Sequence, residues 1–284
     1  MKYAYFPGCK IPTHLPEYDI ATRAVLDHLG VRLIDLRFNC CGYPVRHRSL
    51  EASALSGARN LALARQEHLG IVTPCKCCYG NLKHAQYWMK QHPRLRNKIN
   101  GILAEEGLEW KEDVRVIHLL TLLAEDIGTD AIRARVTNPL HGLKVAAHYG
   151  CHGLRPDNVV QFDNPLSPTI FENLISAIGA EPVNWPLRLE CCGNPLWEKN
   201  SRLSVKLMNR KLANAAESGA DVLATACTYC QIQFDKIRNR LPEKERKHPE
   251  LESVLYVQLL GRSMGWERNS IQDRARPNKI SRVP

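Results

Sequence analysis

The chain has 284 residues, which at roughly 150 residues per domain accommodates about two domains with buried cores and excludes a disulfide-stapled miniprotein. Hydrophobic residues make up 44% and 39 basic against 29 acidic side chains leave a formal charge of +10, which excludes a disordered chain poor in apolar residues and favours anionic partners. Eleven cysteines are about 4% of the chain, below the roughly 8–10% of secreted disulfide scaffolds, yet too many to leave without a role.

In chain order, Lys2–Phe6 reads as a strand, Thr22–Leu29 as a helix ended by Gly30, Val31–Leu36 as a strand and Leu50–Leu69 as a long helix ended by Gly70. Ile71–Thr73 is a third strand, followed by a CxxC segment that opens a helix, and Val116–Ile127 reads as helical up to Gly128. The order then starts again. Lys144–Ala147 is a strand, Pro168–Ile178 a helix before Gly179, Glu181–Trp185 a strand, Leu203–Ser218 a helix before Gly219 and Asp221–Ala224 a strand. Val254–Met264 reads as a second terminal helix, carrying Leu259-Leu260 where the first carries Leu119-Leu120.

The cysteines repeat with these elements. Cys9, the pair Cys40-Cys41, and Cys75 with Cys78 return as Cys151, Cys191-Cys192, and Cys227 with Cys230, at offsets of 142, 151, 151, 152 and 152. Both pairs are followed by glycine, Gly42 and Gly193; Cys77 has Tyr229 as its counterpart. The expected fold class is α/β: two tandem β-α-β-α-β units with parallel sheets, spanning 1–140 and 141–265, and a basic tail over 266–284 that is flexible or laid on a partner. Ligands of parallel sheets bind at the carboxyl ends of the strands, where these cysteines lie.

The sequence starts Met-Lys-Tyr-Ala-Tyr-Phe-Pro, without the apolar stretch of a signal peptide, and no run approaches the ~18 apolar residues of a membrane span. The expectation is a cytoplasmic protein without membrane insertion, a setting in which clustered cysteines bind metal or do redox chemistry more often than they form disulfides. A tetrahedral zinc would leave one cysteine of each five unused, and so would an ordinary cubane cluster. Adjacent thiolates diverge, which suits two irons of one cluster better than one small ion. Zinc, free thiols and vicinal disulfides stay open on spacing alone.

The two Cys-Cys-Gly units, together with Tyr5-Phe6-Pro7-Gly8-Cys9, His148-Tyr149-Gly150-Cys151-His152-Gly153-Leu154-Arg155-Pro156 and Val257-Gln258-Leu259-Leu260-Gly261, resemble the B subunit of heterodisulfide reductase over nearly the whole chain. The resemblance implies two noncubane [4Fe-4S] clusters. One would take Cys9, Cys40, Cys41, Cys75 and Cys78, the other Cys151, Cys191, Cys192, Cys227 and Cys230. The spacings around the pairs are 30 and 33 residues in the first copy and 39 and 34 in the second, so the first is slightly tight for the family pattern. Cys77 reads as a small packed residue.

The resemblance further implies reduction of a disulfide, or oxidation of thiols, between the clusters. The partners it implies are an iron–sulfur protein like the family's C subunit, and a flavin-bearing protein like its A subunit. No flavin or nucleotide fingerprint such as GxGxxG occurs, so electrons come from another chain. His152, next to a ligand, is the candidate catalytic proton donor, and Arg155 the candidate substrate-binding cation. The alternatives are an electron-transfer protein linked to quinone or flavin, without disulfide chemistry, and a structural metal module. Basic residues are dispersed, concentrating only at Arg94–Lys98 and Lys244–His248 with no nucleic-acid motif, so no nucleic acid is expected and an acidic protein partner fits the charge better.

Overall fold

Short, mostly apolar runs separated by helices favour pairing in parallel, with a helical crossover between successive strands of each half. The computed structural model, which describes residues 1–246 and 251–266, has this arrangement twice. The first sheet contains β1 (Lys2–Tyr5), β2 (Arg32–Ile34), β3 (Gly70–Thr73) and β4 (Val116–His118), ordered β2-β1-β3-β4. The second contains β5 (Lys144–His148), β6 (Glu181–Val183), β7 (Val222–Thr225) and β8 (Glu252–Leu255), ordered β6-β5-β7-β8. Every pairing is parallel, with Ala4 opposite Ile34 and Ile71 in one sheet and Ala146 opposite Val183 and Leu223 in the other.

Each sheet therefore has a fourth strand, and this corrects the reading of Val116–Ile127 and Val254–Met264 as wholly helical. Val116, Ile117 and His118 are buried and pair with Ile71, Val72 and Thr73, so the outer edge of β3 gains hydrogen bonds that a helix could not supply. Only after these strands does the chain coil, through Leu119–Thr121 and a wider π-type turn over Leu122–Gly128 in the first half, and through Tyr256–Ser263 in the second. The first crossover helix is also longer than expected, Pro16–His28, because Pro16 at its first turn is compatible with helix initiation.

The long helices Leu50–Gln66 and Ser201–Glu217 begin at equivalent places with equivalent caps. Ser49 Oγ accepts from the Ala52 N–H at 3.1 Å and Asn200 Oδ1 from the Leu203 N–H at 3.0 Å.

Several contacts tie the halves together. His118 on β4 places Nε2 3.1 Å from the Ala226 carbonyl, and Lys76 donates to the Tyr149 carbonyl at 2.8 Å. Trp266, expected to begin the tail, is buried and meets His28 of the first half edge-on at 5.4 Å. The rest of the expected tail, and residues 247 and 248 of the second basic concentration, lie outside the described residues.

Candidate metal centre

Each cysteine segment follows a strand end on the carboxyl side of its sheet. Cys9 and Cys151 follow β1 and β5, the pairs follow β2 and β6, and Cys75 and Cys227 sit two residues beyond β3 and β7, at the starts of the helix Lys76–Gln91 and the turn Thr228–Gln231. The glycine after each pair has a backbone requirement. Gly42 and Gly193 both have φ of +91°, and a Cβ there would lie 2.7 Å from the Ser53 carbonyl and 2.8 Å from the Ser204 carbonyl. Only glycine lets the cysteine pair turn while the next helix packs directly beneath it. Side chains from that neighbourhood hold the first pair, with Ser56 Oγ donating to the Cys40 carbonyl at 2.6 Å and Asn81 Nδ2 to the Cys41 carbonyl.

All eleven cysteines are free thiols. Within each set the sulfurs touch in the same sequence: Cys9 with Cys40 at 3.9 Å, Cys40 with Cys41, Cys41 with Cys78, and Cys78 with Cys75. The second set runs Cys151, Cys191, Cys192, Cys230, Cys227. Cys227 also reaches Cys75 and Cys77, the three sulfurs lying within 4.8 Å of one another.

Proton sharing along these chains has a clear polarity. Cys40, flanked by thiol donors on Cys41 and Cys9, is drawn down to about 2, and Cys191, flanked by Cys151 and Cys192, likewise to about 2. Their neighbours Cys9, Cys41, Cys151 and Cys192 are pushed up because they donate to that thiolate. Cys227 is held low by donors on Cys230, Cys75 and Cys77.

His152 stands at the junction. Its Nδ1 is 3.2 Å from Cys77 Sγ and its Nε2 3.3 Å from the Tyr43 hydroxyl, and burial lowers its pKa. Tyr43 stacks edge-on against both His152 (4.9 Å) and Tyr229 (5.7 Å), so both halves contribute to one aromatic wall. His152, Cys77 and Tyr229 line a pocket with Lys76 and all five cysteines of the second set. Arg155 is elsewhere: it is exposed, with Nη1 on the Leu189 carbonyl at 3.3 Å, and does not line that pocket.

Sequence reasoning missed four participants. Tyr43 and Tyr229 carried a positional signal, one directly after a Cys-Cys-Gly triplet and the other inside a CxxC. The buried lysines Lys76 and Lys211 carried none. Lys76 sits above the Tyr149 ring at 5.0 Å and Lys211 above Trp185 at 4.8 Å, donating to the Leu187 carbonyl; burial pulls each amine down to about 8. Cys77 is buried, as a packed residue would be, and its sulfur also lies within 4.8 Å of those of Cys75 and Cys227. His148 is buried with Nε2 3.2 Å from Cys230 Sγ, while its Nδ1 has no hydrogen-bond partner.

The donors suit iron–sulfur ligation. They are soft thiols, convergent, largely buried, not cross-linked, and already disposed to ionise in each set.

Two parallel sheets that converge free thiols at their carboxyl ends define a class of cysteine-rich α/β proteins built around thiol-lined metal sites. The chain belongs to the family of the CCG cysteine-rich domain, which matches residues 3–83 and again 145–235. It is 31% identical over 284 aligned residues, covering 96% of this chain and 94% of the relative, to the B subunit of the Ferredoxin/F(420)H(2)-dependent CoB-CoM heterodisulfide reductase of Methanosarcina acetivorans. It is also 32% identical over 268 residues, 93% of this chain and 92% of the relative, to the 8-methylmenaquinol:fumarate reductase membrane anchor subunit of Wolinella succinogenes. A solved structure of a hypothetical protein from Helicobacter pylori shares the fold, with a TM-score of 0.75 at 16% identity over 96% of this chain; the chain spans 50% of that protein's length. No helix among the described residues is long and apolar enough to cross a membrane.

Proposed function

We propose that the chain is the iron–sulfur catalytic subunit of a heterodisulfide-reductase-like complex, which reduces a disulfide or oxidises thiols in the space between two noncubane [4Fe-4S] clusters. The first cluster would be held by Cys9, Cys40, Cys41, Cys75 and Cys78, the second by Cys151, Cys191, Cys192, Cys227 and Cys230. The observation that carries this reading is the meeting of the two sets at Cys75, Cys77 and Cys227, directly beside His152 and Tyr43.

Cleaving one R-S-S-R′ bond takes two electrons and two protons and yields two thiols. When bound, each cluster would supply one-electron transfers. The rest falls to the protein's side chains. His152 bridges Tyr43 and Cys77 and, kept neutral by burial, can relay one proton to a departing thiolate, taking one up at one ring nitrogen as it gives one from the other, while solvent supplies the second proton and the Tyr43 and Tyr229 rings shape an apolar wall against the substrate. Arg155, exposed on the segment that follows His152, would meet an anionic end of the substrate as it arrives. Electrons would come from an iron–sulfur protein of the C-subunit type and a flavin-bearing protein of the A-subunit type, the chain's net charge of +10 favouring acidic carriers.

A second reading is an electron-transfer protein linked to quinone or flavin, and the Wolinella relative favours it specifically. The deciding experiment is anaerobic assay of iron and acid-labile sulfide followed by disulfide reduction with an artificial electron donor. Iron with disulfide turnover supports the first reading; iron without turnover supports the second; stoichiometric zinc with little iron rejects both.

A further inference from the structure

The two sulfur sets are related by sequence repeat but they are not electrically equivalent, and we infer that the second set is the more electropositive and is reduced at the higher potential, accepting an electron before the first set does. The inference rests on the proposed reading that both sets hold iron–sulfur groups. Two buried lysines face the second set. Lys76 lines the same pocket as Cys151, Cys191, Cys192, Cys227 and Cys230, although it belongs to the first half of the chain. Lys211, on the helix Ser201–Glu217, has its ammonium between the Leu187 carbonyl and the Trp185 ring, with Cys192, Cys230 and Cys191 among the groups whose field it feels. His148 adds a nitrogen 3.2 Å from Cys230 Sγ.

At the equivalent places around the first set the repeat supplies neutral residues: Thr228 for Lys76, Asn60 for Lys211 and Phe6 for His148. Asn60 is buried and holds the Cys40 carbonyl at 3.2 Å, Thr228 is buried, and Phe6 packs on Phe38 with 5.0 Å between ring centroids. Other charges do not restore the balance. Glu172, the acid whose charge acts on Lys76, is engaged by the Tyr149 hydroxyl and by Arg188 at 3.7 Å, and Glu190, which acts on Lys211, is exposed. Lys10, next to Cys9, is half exposed and screened by water, and Arg46 lies over Tyr43, between the sets.

Adding an electron adds one negative charge, which a fixed buried cation stabilises more than it stabilises the oxidised state. Water at Cys9, the one exposed thiol, works in the opposite sense on the first set. Two cations that are themselves almost fully buried are the larger effect, because their field at the buried Cys192, Cys227 and Cys230 is little diluted by the solvent dielectric, even though Cys151 and Cys191 are half-buried. Lys76 and Lys211 are in this sense positioning residues, acting through the field at the cysteines.

The test is an anaerobic redox titration of the full chain loaded with iron and sulfide, with dithionite as reductant and mediators, followed by EPR. Cys40→Ala and Cys191→Ala assign the signals by removing one set each. In the unsubstituted chain the second-set signal is expected at the higher potential. Lys211→Met is expected to change the oxidised-to-reduced ratio of that set at least tenfold toward oxidised, a downward shift of about 59 mV for a one-electron couple, with the first set unmoved. Lys211→Arg, which keeps the charge, is expected to stay close to the parent potential. Should Lys211→Met not fold, Lys76→Met is read in the same way. Equal or reversed potentials in the unsubstituted chain, or a second set that does not respond to loss of either lysine, overturn the inference while leaving the cluster assignment intact. A chain that binds no iron overturns the functional reading itself, and with it the inference, so the iron assay separates the two failures.

Discussion

Cys75 and Cys227, the opening cysteines of two CxxC segments 152 residues apart, bring their sulfurs within 4.8 Å of each other. Each closes its own series of interacting thiols, Cys9 and Cys151 being the other ends of those series, so the two halves meet sulfur to sulfur at the junction. A charge or substrate placed at the junction is therefore within reach of both series. The interaction of Lys76 with the Tyr149 carbonyl and the approach of His152 to Cys77 come from the same interlocking of one half into the other.

The first prediction concerns iron content. With two four-iron groups the chain should bind about eight irons. Cys192→Ala removes a thiol that touches both Cys191 and Cys230, so it is expected to lose the second group and about half of the iron. Cys77→Ala is expected to retain the full content, because the five-membered series of the first set does not pass through Cys77. Iron and sulfide per chain measure both; loss of iron in Cys77→Ala with Cys75→Ala tolerated would reassign the ligand.

Much of this architecture was legible in the sequence. Glycine-ended amphipathic helices between short apolar runs pointed to the parallel sheets, and the doubled Cys-Cys-Gly spacing to two equivalent sets. The fourth strands were hidden because Val116-Ile117-His118 runs straight into a helical leucine pair, and a segment of three residues carries no period that separates strand from helix. Contacts across the halves were hidden for a different reason. Lys76 and Thr228 occupy equivalent positions in sequence, and only the three-dimensional interlocking makes Lys76 a neighbour of the other half's cysteines.

Gly80 tests that interlocking. A Cβ there would lie 2.7 Å from the His152 carbonyl oxygen, a backbone atom that cannot swing away. Gly80→Ala is expected to cost about 1–3 kcal/mol through overpacking and to move His152 away from Cys77. Thermal melting reads the first effect. A melting temperature and a turnover rate both equal to those of the parent would show that the segment carrying His152 is free to shift.

An acid-sensitive contribution to stability is expected away from the metal centre. Asp126 takes both guanidinium nitrogens of Arg115 at 2.7 Å and the Tyr3 hydroxyl, and Arg115 holds its carboxyl below the usual range. The depressed folded-state pKa means the contribution is present above the unfolded value of about 3.9 and is lost as pH falls through the folded value beneath it. Because the Arg115 side chain is 53% exposed, screening keeps the effect below about 1 kcal/mol. Asp126→Asn should lower stability slightly at neutral pH and flatten its acid limb, measured by denaturant unfolding between about pH 2 and 5; parallel curves for both proteins would remove the pair from the stability account.

The last prediction separates disulfide chemistry from simple electron relay. If the junction is a substrate site, thiols and disulfides should perturb the spectra of the loaded chain poised at intermediate potential, since a substrate sulfur would lie beside Cys75 and Cys227. His152→Ala should then lower kcat by about 10²-fold or more with less change in KM, as expected of an imidazole that relays a proton to the breaking bond from its place between Tyr43 and Cys77. Arg155→Ala should mainly raise KM for an anionic disulfide, since its exposed guanidinium acts on arrival and not on the breaking bond. A relay has no substrate at the junction, so neither substitution should matter to it beyond folding. Spectra unchanged across a panel of small-molecule and protein disulfides, with quinone- or flavin-linked transfer intact in the His152→Ala protein, would assign the junction to electron passage between the two sulfur sets.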